Sequence, residues 1–117
     1  MSKDEWCWHE NVARVLLQLK DRSGVPLLIT NLKSKHRSER HFAAKAFAEH
    51  GDKSDVLLLG HCLTDEELII QLQACEGLER ITGVVNRALG QTMLTSADIP
   101  LWKAWFDQNK AKYRTDK

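Results

Sequence analysis

Residues 24–52 read GVPLLITNLKSKHRSERHFAAKAFAEHGD, and residues 54–83 read SDVLLLGHCLTDEELIIQLQACEGLERITG. Placing Val25 over Val56, a shift of 31 positions, sets Leu27 and Leu28 over Leu58 and Leu59, and Leu32 over Leu63. The same shift sets Ala43-Ala44 over Ala74-Cys75, Phe47 over Leu78, and the closing Gly51-Asp52 over Thr82-Gly83. Each stretch reads as a short helix, a charged turn, and a longer helix with small residues midway. Small residues let helices approach closely, and the large residue after them fills the layer between neighbouring units. One such pair cannot cover its own apolar face, so the units have to stack. Self-similarity of this kind bears on architecture before any single motif does.

Within the first unit, the apolar run Val25–Leu32 is too short to separate strand from helix by periodicity alone. Pro26 argues against a central strand and is harmless in a helix's first turn, where N–H groups lack intrahelical partners. The expectation is a short helix from Gly24 to Ser34, a polar turn at Lys35, His36 and Arg37, and Ser38 as cap of a third helix. Phe42, Ala43, Ala46, Phe47 and His50 mark one face of that helix. In the second unit, Val56, Leu57, Leu59 and Leu63 mark a fourth helix over 54–63. Thr64-Asp-Glu-Glu67 has the spacing of a capping box opening a fifth. Leu68, Ile69, Leu72, Cys75, Leu78 and Ile81 are expected to form its apolar side, and Thr82-Gly83 its end.

Working outward, Trp8, Val12, Val15, Leu16 and Leu19 recur at helical spacing in an N-terminal helix over 1–22. Ser2 and Glu5 suit its start, and Gly24 suits a left-handed closing residue. Beyond residue 83, Asp98 is placed to cap a last helix with Ile99, Trp102, Trp105, Phe106 and Tyr113 near one stripe, so 84–117 reads as a capping segment. No segment alternates with period two for long. The expected fold is all-α, a right-handed stack of about six or seven helices in one domain over 1–117.

The chain has 117 residues, with 17 Lys and Arg against 16 Asp and Glu, for a net charge of +1. Nothing in that balance draws the whole molecule to nucleic acid or anionic lipid. A hydrophobic content of 43% with 28% charged residues suits a globular domain rather than a disordered chain. No apolar run approaches the ~20 residues needed to cross a bilayer, and the N-terminus lacks an apolar signal core. Cys7, Cys62 and Cys75 are an odd, scattered set, which suits reduced thiols. Together these imply a cytoplasmic protein.

On the two stretches quoted above, the chain resembles the HEAT-repeat family in its short bacterial form, related to the bilin-lyase repeats. Arg40, Ala43, Ala46, Phe47 and Gly51 fit the family's second helix, while Glu39 replaces its usual apolar residue. Gln71 and Thr82 depart from it in the second unit. "ITG" at 81–83 followed by "LWKAWF" at 101–106 is similar to the ending of many small HEAT-like proteins, where an aromatic helix closes the stack. The resemblance spans about residues 12–107. It implies an α-solenoid whose second-helix row serves as a scaffold for binding another protein.

No catalytic set is legible: there is no nucleophile elbow, phosphate loop or dinucleotide fingerprint. The histidines and cysteines show no metal-ligand spacing. One HEAT-like enzyme family, deoxyhypusine hydroxylase, holds two irons through repeated His-Glu pairs. Here His9-Glu10 stands alone, and Arg40-His41-Phe42 lacks the glutamate, so neither metal nor cofactor is expected. Lys33, Lys35, His36, Arg37, Arg40, His41 and Lys45 form a dense basic cluster. Nucleic-acid or anion binding at this turn, 33–45, is one alternative; a role in bilin-lyase-type cofactor attachment, implied by the resemblance, is another. The equivalent turn is acidic (Asp65, Glu66, Glu67), so no basic stripe runs across both units. The favoured reading is a non-enzymatic module, monomer or homodimer, binding a protein partner. Its solvent-facing residues on the second-helix row are Arg40, His41, Lys45 and Glu49, with Gln71, Glu76, Glu79 and Arg80 as their counterparts. Arg40 has a structural alternative, bonding backbone carbonyls or an acidic side chain between units. Trp6 and Trp8 point to different sides of one helix, which leaves at least one partly exposed.

Overall fold

A computed structural model describes residues 3–84 and 95–113, with side chains from residue 11 onward. Six α-helices carry the described chain: α1 Lys3–Gln18, α2 Val25–Leu32, α3 Arg37–His50, α4 Val56–Cys62, α5 Leu68–Thr82 and α6 Ile99–Asn109. No strand occurs among the described residues. Ser2 as a cap, the side chains of Trp6, Cys7, Trp8, His9 and Glu10, and the stretch 85–94 lie outside the description.

The shift of 31 is written into the backbone. A 3₁₀ turn at Arg22–Gly24 leads into α2, and one at Lys53–Asp55 leads into α4. The helices α3 and α5 begin at Arg37 and Leu68, again 31 apart. Their local chemistry repeats as well. The Asp21 carboxylate accepts from the Ser23 N–H at 2.9 Å, and Asp52 accepts from the Ser54 N–H at 2.8 Å. Before the longer helices, Ser34 Oγ accepts from the His36 N–H at 3.0 Å, and Asp65 Oδ1 accepts from the Glu67 N–H at 2.9 Å. A third 3₁₀ turn, Ser96–Asp98, opens α6 in the same way, with Thr95 accepting from the Ala97 N–H. These oxygens take up N–H groups that a helix start leaves unpaired, and so fix where each helix begins.

Several expected caps fall elsewhere. Arg37, not Ser38, begins α3, after an N-cap at His36, and Ser34 supplies the oxygen. Thr64 donates to the His61 carbonyl and closes α4, so Asp65 takes over the turn into α5. True reciprocal capping boxes stand at Asp52/Asp55 and Thr95/Asp98, whose buried carboxylates accept from the Asp52 and Thr95 N–H groups. Asp98 thus serves the turn before α6 and makes no side-chain cap to the helix itself. The left-handed residue after α1 is Lys20, at φ 68°, while Gly24 sits at φ −90°. Gly83, at φ 75°, does close α5.

The inward faces differ from the expected stripes on two helices. On α1, Ala13 and Leu17 are buried, whereas Val15 is 41% and Leu19 70% exposed. On α5, Ile70, Ala74, Cys75 and Leu78 are buried, whereas Leu68 and Ile69 are half exposed, at 50% and 48%. Both helices carry apolar residues on more than one side, so periodicity alone leaves two stripes to choose from. Elsewhere the expectation matches: Ala43, Ala46 and Phe47 of α3, Val56 and Leu59 of α4, and Ile99, Trp102 and Phe106 of α6 are buried.

Consecutive helices pack on one another: α1 on α2, α2 on α3, α4 on α5, and α5 on α6. The most extensive pairing among the described helices is α3 with α5, the two longer helices of the repeat. Gly77 is what allows it. A Cβ at that position would lie 2.8 Å from both Ala48 Cα and Leu59 Cδ1, too close for any side chain without parting the helices. The far end is closed by aromatic packing, with Trp102 edge-on to Trp105 at 5.2 Å and Tyr113 tilted against Trp105 at 6.2 Å. Such rings hide much apolar area per residue.

Candidate functional site

The eight residues singled out on α3 and α5 divide into two groups. Arg40 is buried. Its Nε donates to Asp65 Oδ2 at 2.9 Å, its Nη2 to Asp65 Oδ1 at 3.3 Å, and its Nη1 to the Ser34 and Lys35 carbonyls at 3.0 and 3.1 Å. Of its two expected roles, this is the structural one. The bidentate bond to Asp65 raises the pKa of the guanidinium above its already high ordinary value. Gln71, its counterpart 31 positions on, donates to the Asp65 carbonyl, the equivalent of the bond Arg40 makes to Ser34. Both side chains tie the start of a longer helix to the turn before it.

Arg80 also serves the framework. Although exposed overall, it donates from Nε to the Ala48 carbonyl at 2.6 Å and from Nη2 to the Gly51 carbonyl at 2.5 Å. Those carbonyls end α3, where the helix dipole is negative and N–H partners have run out. Replacing Arg80 with glutamate should therefore cost about 1.5–3 kcal/mol, the range for hydrogen bonds to a charged group. The readout is the urea midpoint; an unchanged midpoint would show that these carbonyls find other donors.

His41 is half-buried, with Nε2 inside and without a hydrogen-bond partner among the described residues. Lys45, Glu49 and Glu76 are exposed, and Glu79 is half-buried. Lys45 and Glu49 on α3 and Glu76 on α5 thus face solvent without serving the framework, and Leu68 and Ile69 face solvent as well. Ile69 precedes Glu76 by two helical turns and shares its stripe. Sequence reasoning placed Leu68 and Ile69 in the core; only the packing of α5 on α3 shows them outside.

The charged turns explain one another. Arg40 reaches Asp65 and lies 3.9 Å from Glu66, and Arg37 lies 3.7 Å from Glu67. The basic turn of the first unit sits against the acidic turn of the second, which is why the sign inverts 31 positions on. A second tie, absent from the expectations, joins the preceding turns: Arg22 Nη2 donates to the buried Asp55 Oδ1 at 2.6 Å and Nη1 to Oδ2 at 3.1 Å. The spacing of acid and base across the repeat was the available signal.

Cys62 and Cys75 are buried, and burial pushes both thiols from 9.0 to about 12. A thiol reacts as its thiolate, so neither is a nucleophile at neutral pH. The raised values also carry a stability sign. Above pH 9 the unfolded chain's thiols ionise while the folded chain's stay protonated, so the unfolded state binds fewer protons. Stability is complete below that pH and falls from about 9 to 12. In a Cys7→Ser variant, Ellman's reagent at pH 8 should find no rapidly reacting thiol until denaturant is added. Fast native labelling would place a thiol outside the core.

Among the described residues, no three His, Cys, Asp or Glu side chains group as metal ligands would, and no helix is long and apolar enough to cross a membrane. Compared with protein-family models, with curated proteins and with solved structures, the chain matches none.

Proposed function

We propose that this chain is a non-enzymatic interaction module, a short HEAT-like right-handed solenoid that binds a protein partner in the cytoplasm through the outer side of α3 and α5. What carries the reading is the pair of half-exposed apolar residues, Leu68 and Ile69, at the start of α5, on a helix row that also exposes Lys45, Glu49 and Glu76. A row that exposes apolar residues at one end and charges of both signs along its length suits recognition by shape and charge together. Support for a stack comes from the repeated cap chemistry and from extents of 46 × 31 × 22 Å.

The nucleic-acid reading loses ground for an electrostatic reason. The guanidinium groups of Arg37 and Arg40 face carboxylates of the next turn, which leaves fewer free cations to neutralise phosphates. Affinity capture from source cells followed by measurement with the purified partner tests the proposal. Ile69→Asp combined with Lys45→Glu should weaken binding at least tenfold while leaving the thermal midpoint near the wild-type value. Unchanged affinity would remove this surface, and tight binding of a short duplex that fades steeply with salt would favour the basic turn instead.

A further inference from the structure

The opposite row, formed by the shorter helices, holds two adjoining cavities. One of about 170 Å³ lies between α2 and α4, floored by Ile29, Leu32 and Leu58 with Lys33 and His61 at its rim. The second, of about 250 Å³, lies between α4 and α6 over Leu63 and Phe106, with Lys103 and Lys110 at its rim. His61 lines both, as a shared wall, and its ring stands edge-on to Phe106 at 6.2 Å. Each cavity is smaller than the ~300–1,000 Å³ typical of a small-molecule site. Two side-chain-sized compartments in a row suit successive residues of a chain better than one enclosed ligand.

Charge identifies the chain. Two acids line the cavities, Asp65 in the first and Asp107 in the second. Asp65 is taken up by Arg40 at 2.9 Å, and Asp107 stands 3.7 Å from Lys110. Lys33 and Lys103 are exposed, and no ion-pair partner meets either ammonium among the described residues. The rim therefore carries a surplus of positive charge over an apolar floor. Nucleic acid fits this poorly: it needs a longer run of cations and open aromatic faces for stacking. Phe106, the aromatic on the floor, is only 8% exposed and presents no open face for stacking.

We propose that this groove binds a polypeptide segment of a partner in which two apolar side chains are flanked by acidic ones. The apolar side chains enter the two compartments, and the carboxylates meet Lys33 and Lys103. The site is independent of the α3–α5 surface, so either can fail without the other.

The test titrates the full-length protein with a labelled synthetic peptide of two leucines set among glutamates, followed by fluorescence anisotropy and by amide shifts of ¹⁵N-labelled protein. Saturable binding is expected, with shifts centred on Lys33, His61, Thr64 and Lys103. Affinity should fall at least tenfold for the Lys33→Glu/Lys103→Glu variant and for a peptide with lysine in place of glutamate. Lys45→Glu, on the other row, should leave it unchanged. The proposal is overturned by no binding, by equal affinity for the lysine peptide, by an unaffected double variant, or by shifts centred on α3 and α5. Displacement of the peptide by a single-stranded oligothymidylate would also overturn it. Both lysines are exposed, and an unaltered circular dichroism spectrum confirms that the variant remains folded.

Discussion

Replacing Phe47 with alanine is expected to lower the free energy of unfolding by about 3–5 kcal/mol. The ring is fully buried on α3, the helix that packs against α2, α4 and α5, and its repeat counterpart Leu78 is equally buried. Removing it takes away the transfer free energy of a large side chain and leaves a void that closely packed helices cannot close. A domain of this size has about 5–15 kcal/mol to lose, so the variant should be marginal at room temperature. Urea unfolding followed by tryptophan fluorescence measures it, since Trp102 is buried. Leu19→Ala is the matched control: at 70% exposure it should change stability by no more than about 0.5 kcal/mol. A Phe47→Ala loss below about 1 kcal/mol would mean that the ring does not sit in the core of the repeat.

The second large effect belongs to Arg40. Its side chain is 11% exposed and that of Asp65 13%, so cutting one away leaves the other charge poorly solvated. Breaking a buried pair of this kind costs about 3–5 kcal/mol. Arg40→Ala should approach that range, because it also strips donors from the Ser34 and Lys35 carbonyls. Arg40→Lys should recover only part of the loss, since an ammonium cannot reproduce the fork that meets both oxygens of Asp65. Asp65→Asn is the cleaner partner for a double-mutant cycle: it removes the charge yet keeps an oxygen for the Glu67 N–H. A coupling energy of about 0.5–3 kcal/mol is expected from groups in direct contact. Near-zero coupling, with native stability in Arg40→Ala, would return Arg40 to the partner-binding surface.

These two residues show how unevenly the sequence could be read. Phe47 was legible as core because its burial follows from position on an amphipathic helix and is repeated at Leu78. Arg40 was legible only as one of two things. Its distinguishing partner, Asp65, stands 25 positions away, and nothing in local spacing announces that the two turns touch. Arg80 is exposed, as expected, but its bonds to the framework were illegible for the same reason: the carbonyls it meets belong to the end of a different helix. The proposed interaction surface accordingly leaves out Arg40, Gln71 and Arg80, which bond to the framework, and takes in Leu68 and Ile69.

The succession of helices, the shift of 31 between units, Pro26 at a helix start, Gly83 at a helix end and the buried face of α6 at Ile99, Trp102 and Phe106 were all determined by the sequence alone. Each depends on groups a few residues apart: backbone hydrogen bonds within one helix, an oxygen two positions from the N–H it accepts, apolar side chains one turn from the next. Which side of α1 and α5 turns inward, and which charges are spent inside the molecule, was decided only in the tertiary structure. Burial and ion pairing depend on surfaces that meet across some thirty residues of chain, and a stripe of side chains has no inside until another helix lies against it.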